Sequence, residues 1–300
     1  MAFVKDSSRD INLGVGNWEG ADTDGTTVWF VDDATNYARA WTASTRARDE
    51  DKDINLGNPT GLIKWDGVVC DGTTLWFTYH TVINTYARAY VASTRVRDED
   101  KDIYFGRGQG ARDGSVTDGT TLWFIGISTA YAYNASTQAR DANKDINLLS
   151  NASFKGGFTD RTTLWFVGDT NDYARAYDLS KLLSRDPMAV RDDTRNLRDA
   201  TRDINLGTGS WRGGVRVGDD YWIIDDTTNY ARAYFERTNI SARDTTKDLV
   251  LGSGAGSDYT GAVTDGTTFW ITENSLDTAK AYVLRTRARD EDKDLSLIHI

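Results

Sequence analysis

The chain's 35 basic and 45 acidic side chains, interleaved over 300 residues, leave a net charge of −10. A surface of that sign repels phosphate backbones, which argues against nucleic acid as a partner. Two His and one Cys, Cys70, are too few for a His/Cys zinc or iron centre, and a lone thiol closes no disulfide within the chain.

In chain order, Met1–Asp6 lack the apolar stretch of a secretory signal, and no apolar run long enough to cross a bilayer follows. The first patterned segment is Arg9-Asp10-Ile11-Asn12-Leu13-Gly14. Its form returns later as Lys-Asp-Ile-Asn-Leu-Gly, the last of four short segments in a repeat. The other three are Gly-x-Val-Thr-Asp-Gly, Thr-Thr-Leu-Trp-Phe-Val and Tyr-Ala-Arg-Ala-Tyr. All are rich in β-branched or aromatic residues and bounded by Gly, Asp or Asn, the mark of strands. They are labelled A to D. Asp-Gly between A and B, as at Asp24-Gly25, Asp71-Gly72, Asp118-Gly119 and Asp265-Gly266, predicts a tight antiparallel hairpin.

Strand B is marked by Trp29, Trp76, Trp123, Trp165, Trp222 and Trp270, spaced by 47, 47, 42, 57 and 48 residues. Periods of roughly 40–50 residues with four strands each are those of propeller blades. Strand B is apolar on both faces, so it is covered on both sides. Strand C places two Ala on one face, as at Ala87 and Ala89, and lets a neighbouring sheet come close. The fold class expected is all-β: a six-bladed β-propeller, four antiparallel strands per blade, with segment 9–14 closing the last blade. It forms a single domain over 1–300, with blades near 15–57, 58–106, 107–149, 150–207, 208–252 and 253–294.

The fourth repeat departs in length. From strand C to strand D it spans 26 residues, Tyr177 to Asp203, against 12 from Trp41 to Asp53, so 178–200 is an insertion. Its opening, Asp178–Leu183, predicts a short helix capped by Asp178. At the far end Leu295-Ser296-Leu297-Ile298-His299-Ile300 break the repeat and resemble the translation of a sequencing adapter, which places 295–300 outside the fold.

The motifs Asp-Gly-Thr-Thr-x-Trp, Tyr-Ala-Arg-Ala-Tyr and Arg-Asp-x-x-Lys-Asp-Ile-Asn-Leu, over residues 9 to 294, resemble the bacterial propeller repeats of NHL, YVTN and TolB style. That resemblance implies a propeller and no particular chemistry. The turn between C and D, as in Arg46-Ala47-Arg48-Asp49-Glu50-Asp51-Lys52-Asp53, has alternating Asp that invite calcium. No Gly or terminal Glu follows at EF-hand spacing, and a locally salt-bridged turn is the preferred reading.

Loops D–A and B–C open on the opposite face. One register there holds Trp18, Trp65, Arg112, Phe154, Trp211 and Tyr259, each followed two residues later by Gly: Gly20, Gly67, Gly114, Gly156, Gly213 and Gly261. Two readings stand: the rings wedge between blades, with Gly permitting close backbone approach, or they offer flat faces to sugars or a partner protein. The B–C loops add Asp32, Asp33, Tyr79, His80, Asp169, Asp225, Asp226 and Glu273 to the same rim. Such acceptors suit sugar hydroxyls, or one calcium ion if they converge.

The preferred function is a monomeric, non-catalytic module without cofactor that binds a glycan or a protein surface through this face, a role suited to the extracellular or cell-surface side. The alternatives are a calcium-dependent six-bladed hydrolase of lactonase or glycosidase type, and a structural spacer in a larger surface protein.

Overall fold

The computed structural model describes residues 2–5, 10–57, 64–81, 84–107, 114–126, 128–148, 154–168, 173–183, 198–237, 240–251 and 258–285. Six antiparallel sheets stand around one axis as a six-bladed β-propeller. In blade 1 strands A to D are Trp18–Thr23, Thr27–Asp32, Tyr37–Thr42 and Ile54–Asn55. Strand A is innermost, and each strand A touches that of the next blade until the sixth meets the first. None of the helices among the described residues is long and apolar enough to cross a membrane.

The hairpins form for a local reason. Asp24 Oδ1 accepts the amides of Thr26 and Thr27, each at 2.8 Å, and Gly25 takes φ +91°. Gly72, Gly119 and Gly266 repeat that left-handed turn, while blade 4 forces Arg161 into it at φ +73°.

The core lies between blades. At each junction the Trp-bearing face of one sheet meets the Leu/Phe face of the next: Trp29, Ala38, Ala40 and Ile54 pack on Leu75, Phe77 and Tyr90. The same pairing recurs around the ring, ending with Trp270, Ala279 and Ala281 against Val28, Phe30 and Trp41. A buried indole needs an acceptor, which the C–D turn supplies to the strand-B Trp of blades 1 to 4. Trp29 donates to the Lys52 carbonyl at 3.2 Å, Trp76 to Lys101 at 3.3 Å, and Trp123 to Lys144 at 3.2 Å.

Two of the three alternating Asp of that turn in blade 1, Asp49 and Asp53, are engaged by the chain itself. Asp53 accepts the Ala40 amide at 2.9 Å and pairs with Arg48, while Lys52 pairs with Asp49 at 3.2 Å. Equivalent Arg–Asp pairs are Arg97–Asp102, Arg140–Asp145, Arg198–Asp203 and Arg243–Asp248.

Closure uses the N-terminal strand D. Ile11 pairs with Ala279 and Asn12 with Thr278, and Asp10 accepts the Ala281 amide at 2.9 Å, as Asp53 does for Ala40. Two further strands were not expected. Strand C runs eight residues in blade 5 (Tyr230–Arg237) and in blade 6 (Thr278–Arg285), while strand D covers only its first two. Strand D leaves the rest of that edge unpaired, and Ile240–Arg243 and Ala2–Lys5 pair with it. The helix after strand C of blade 4 is Leu179–Leu183, with Asp178 accepting from the Ser180 amide at 2.9 Å. Positions 184–197 of the insertion, and 286–300, lie outside the described residues.

The register Gly residues mark where the inner strands come closest. A Cβ on Gly114 would stand 2.7 Å from Gly156 Cα, and one on Gly20 3.2 Å from Gly67 Cα, whereas at Gly261 the nearest atom is Gly20 Cα at 3.8 Å. Gly114→Ala is therefore expected to cost about 1–3 kcal/mol by forcing two backbones apart, and Gly261→Ala to be near neutral. Paired urea titrations check the contrast.

Candidate functional site

Among the described residues, three cavities follow one another along the axis. A wide one of about 520 Å³ opens between the A–B hairpins, a narrow one of about 100 Å³ lies at the glycine ring, and one of about 260 Å³ opens on the loop face.

The aromatic register does not present its rings to the loop-side cavity. Trp18, Trp65, Trp211 and Tyr259 are fully buried and Phe154 nearly so. They belong to the inter-blade clusters: Phe154 packs with Leu164 and Phe166, Trp211 with Trp165 and Tyr221. Trp18 donates to the Gly14 carbonyl at 3.2 Å, Trp65 to Asn36 Oδ1 at 3.1 Å and Trp211 to the Gly207 carbonyl at 3.1 Å. Of the two readings the wedge is the one these positions satisfy. A flat face for sugar stacking is missing at these five, because a ring covered on both sides by side chains has no face left. Arg112 and Asp169 lie outside the described residues.

What covers each ring is the cation of strand C. Arg39 lies over Trp18 at 5.3 Å, Arg88 over Trp65 at 5.7 Å, Arg175 over Phe154 at 5.7 Å, Arg232 over Trp211 at 4.9 Å and Lys280 over Tyr259 at 5.6 Å. Several of these cations also donate to the preceding blade: Arg88 to the Leu56 carbonyl at 2.7 Å, Arg175 to Leu148 at 2.6 Å, Lys280 to Leu251 at 2.6 Å.

The rim acids fall into two sets, and neither stands open for a ligand. Asp32, Asp225 and Glu273 are buried and neutralise those cations, in the pairs Asp32–Arg39 at 2.8 Å, Asp225–Arg232 and Glu273–Lys280. Asp33 and Asp226 reach across a junction to the amide of the next ring residue, Trp65 at 2.7 Å and Tyr259 at 3.3 Å. Asn274 does the same for Trp18 at 3.0 Å. Tyr79 packs on Trp65 and Tyr86 with ring centres 4.8 and 5.1 Å away, and His80 Nδ1 lies 2.7 Å from Asp66 Oδ2. These residues fasten the loop face more than they furnish it. Among the described residues no group of three or more His, Cys, Asp or Glu is arranged to hold a metal ion.

Five of the residues that line the loop-side cavity, Glu19, Asp66, Lys155, Arg212 and Thr260, stand between a ring residue and its glycine, and Asn17, Lys64, Asp258 and Asn274 line it as well. The five take their orientation from a β-bulge: pairing of strand A with strand B slips between Trp18 and Gly20, Trp65 and Gly67, Phe154 and Gly156, Trp211 and Gly214, and Tyr259 and Gly261. A bulge inserts one residue and re-aims its side chain, here toward the axis. Lys64 pairs with Glu19 at 3.3 Å, and Arg212 with Asp226 at 3.0 Å. Burial raises the Glu19 carboxyl above its ordinary value, with the Lys64 ammonium opposing the shift.

The wide cavity at the other end contains Asp22 and Cys70. Cys70 occupies a Thr register, its sulfur accepting the Gly72 amide at 3.3 Å as Thr23 Oγ1 accepts that of Gly25 at 2.9 Å. Burial pushes its thiol well up. Asp22 stands where the other blades have Val69, Val116, Phe158, Val215 and Val263. Its carboxylate accepts the Cys70 amide at 2.7 Å, yet burial outweighs that bond and raises its pKa from 3.8 to about 7. The folded chain thus holds a proton between about pH 4 and 7 that the unfolded chain releases, so this group's contribution to stability falls as pH rises through that window. Relative to wild type, Asp22→Asn is expected to be about 2–4 kcal/mol more stable at pH 8 than at pH 4, measured by denaturation across pH.

No protein-family model and no curated protein sequence matches the chain. Solved structures do. Chaetomium thermophilum Raptor aligns over 92% of this chain and 29% of its own length, at 10% identity and TM-score 0.54. The chain is similar to these structures in fold. Against a chain of a nidogen/laminin complex the coverage is 76% and 79%, at 14% identity and TM-score 0.55. Against the PQQ-bound aldose sugar dehydrogenase of Streptomyces coelicolor it is 91% and 96%, at 10% identity and TM-score 0.56. Identities this low carry the propeller architecture and no activity.

Proposed function

We propose that the chain is a non-catalytic binding module that recognises a protein surface through the loop face. The observation that supports it is the bulge in strand A of five blades, which turns one polar or charged side chain per blade into a single cavity at that face. Convergent polar groups in a concave site are the general form of a binding site, and a rigid ring holds them at little conformational cost. A protein surface suits this lining better than a glycan, because the rings that would stack on sugars are inside the blade junctions. The non-catalytic reading is supported by two groups that could have supplied a nucleophile or a base: the Cys70 thiol is buried beyond the glycine ring, and His80 is tied to Asp66.

The test is parallel display of the chain on peptide and glycan arrays, with hydrogen exchange locating any binder. Peptide binding that protects loops B–C and D–A is expected. Binding to glycans alone, or protection confined to the A–B hairpins, would overturn the reading.

A further inference from the structure

The side chains that the bulges turn into the loop-side cavity divide by sign. Blades 1 and 2 supply Glu19 and Asp66, blades 4 and 5 supply Lys155 and Arg212, and blade 6 supplies Thr260; beside them Lys64 pairs with Glu19, and Asp258 lines the cavity from blade 6. In a ring of six, blade 1 stands opposite blade 4 and blade 2 opposite blade 5, so Glu19 and Asp66 each face a cation across the axis. The wide cavity repeats the polarity. Asp24, Asp71 and Asp118 line it from blades 1 to 3, and Arg161 and Arg216 from blades 4 and 5. At both ends acids from the first blades face cations from blades 4 and 5.

We propose that the loop-side cavity binds a dipolar group, one cation and one anion on the same small ligand, laid across the axis with its cation on Glu19 and Asp66 and its anion on Lys155 and Arg212. This rests on the reading that the loop face is the binding face, and it names what that face takes. The neighbouring pairs, Glu19 with Lys64, Asp66 with His80 and Arg212 with Asp226, fix the charge in place at three of the four positions. They do not exhaust it, since a carboxylate offers about four acceptor sites and a guanidinium five donors. The Thr260 hydroxyl oxygen is buried behind the same wall, with no hydrogen-bond partner among the described residues.

Selectivity follows from the opposition of signs. A ligand with only a cation places it near Lys155 and Arg212 as well as near the acids, and a purely anionic ligand meets the converse. The volume of about 260 Å³, floored by the glycine ring, limits the recognised group to dipeptide size. The same chemistry is available from a free dipeptide or from a partner's loop bearing neighbouring Lys and Asp.

Calorimetric titration at low salt distinguishes these. The probes are glycylglycine, its N-acetylated form, its amide, and the doubly capped peptide acetyl-Lys-Gly-Asp-amide. Glycylglycine or the capped peptide is expected to bind at least ~10-fold more tightly than the two singly charged probes, a gap worth about 1.4 kcal/mol; the tighter of the two identifies the source. Glu19→Gln with Asp66→Asn is expected to abolish that gap and turn preference toward the N-acetylated anion. Lys155→Gln with Arg212→Gln turns it toward the amide cation. Opposite switches in two variants are not a result that misfolding produces. Equal binding of all four probes, no binding of any, or preferences unmoved by both variants overturns the proposal. If array peptides still protect the loop face while these preferences stay unmoved, the dipolar ligand fails and the binding face stands.

Discussion

Trp165→Ala is expected to destabilise the propeller by about 3–5 kcal/mol, read as a shift in urea midpoint at unchanged slope. The ring is fully buried at the junction of blades 4 and 5, stacked on Phe158 at 5.3 Å and tilted against Tyr221 at 4.8 Å. Its indole donates to the Arg202 carbonyl at 3.4 Å, and the Arg202 guanidinium lies over it at 5.4 Å. Truncation opens a cavity between two sheets, leaves that carbonyl without its donor and strips a cation of its aromatic partner. Strands paired on both sides cannot collapse into the gap without moving a whole blade, which places the cost toward the upper end of the range. Trp76→Ala acts at a different junction with no shared neighbours, so the two losses should add to within about 0.5 kcal/mol. A loss below about 1 kcal/mol at either site would mean that the blade junctions are not where the stability lies.

Those Trp positions were legible in the sequence because everything that fixes them is local and repeated. An Asp-Gly pair sets the hairpin, and strand alternation then sends Trp to one face and Leu and Phe to the other. The surplus strand D at the N-terminus announced closure for the same reason. The loop face was harder. A register position says that Trp18 and Trp65 lie at equivalent places, but what covers a ring depends on strand C of its own blade and strand D of the one before.

One trace of that coupling is in the sequence. In the third repeat Arg112 takes the aromatic register and Tyr131 the cation register, an exchange that marks the two positions as partners. Glu19, Asp66, Lys155, Arg212 and Thr260 were passed over because the expected alternation turns them away from the axis, and only the added residue of the bulge turns them in. Their signal was the contrast within the repeat: an aromatic before and a glycine after, unchanged in most blades, with charge changing sign between.

Asp225→Ala separates the two roles that a rim carboxylate can have. Asp225 is fully buried, pairs with Arg232, and accepts the Thr227 amide at 3.1 Å and the Thr228 hydroxyl at 2.5 Å. Removing it strands a guanidinium between Trp211 and the Leu206 carbonyl, so the expected cost is about 3–5 kcal/mol, the range for breaking a buried pair from one side. Adding Arg232→Met withdraws the stranded charge and keeps an unbranched chain over Trp211. The double variant is therefore expected to be more stable than Asp225→Ala alone, with a coupling of about 2 kcal/mol between the two sites. A carboxylate held for a metal ion behaves differently: its loss abolishes stabilisation by added calcium, and Arg232→Met restores nothing. Thermal unfolding of wild type and the three variants, each with and without calcium, decides between them. Calcium-independent unfolding with recovery in the double variant places Asp225 in the framework that holds the ring residues, and leaves recognition to the bulge residues beside it.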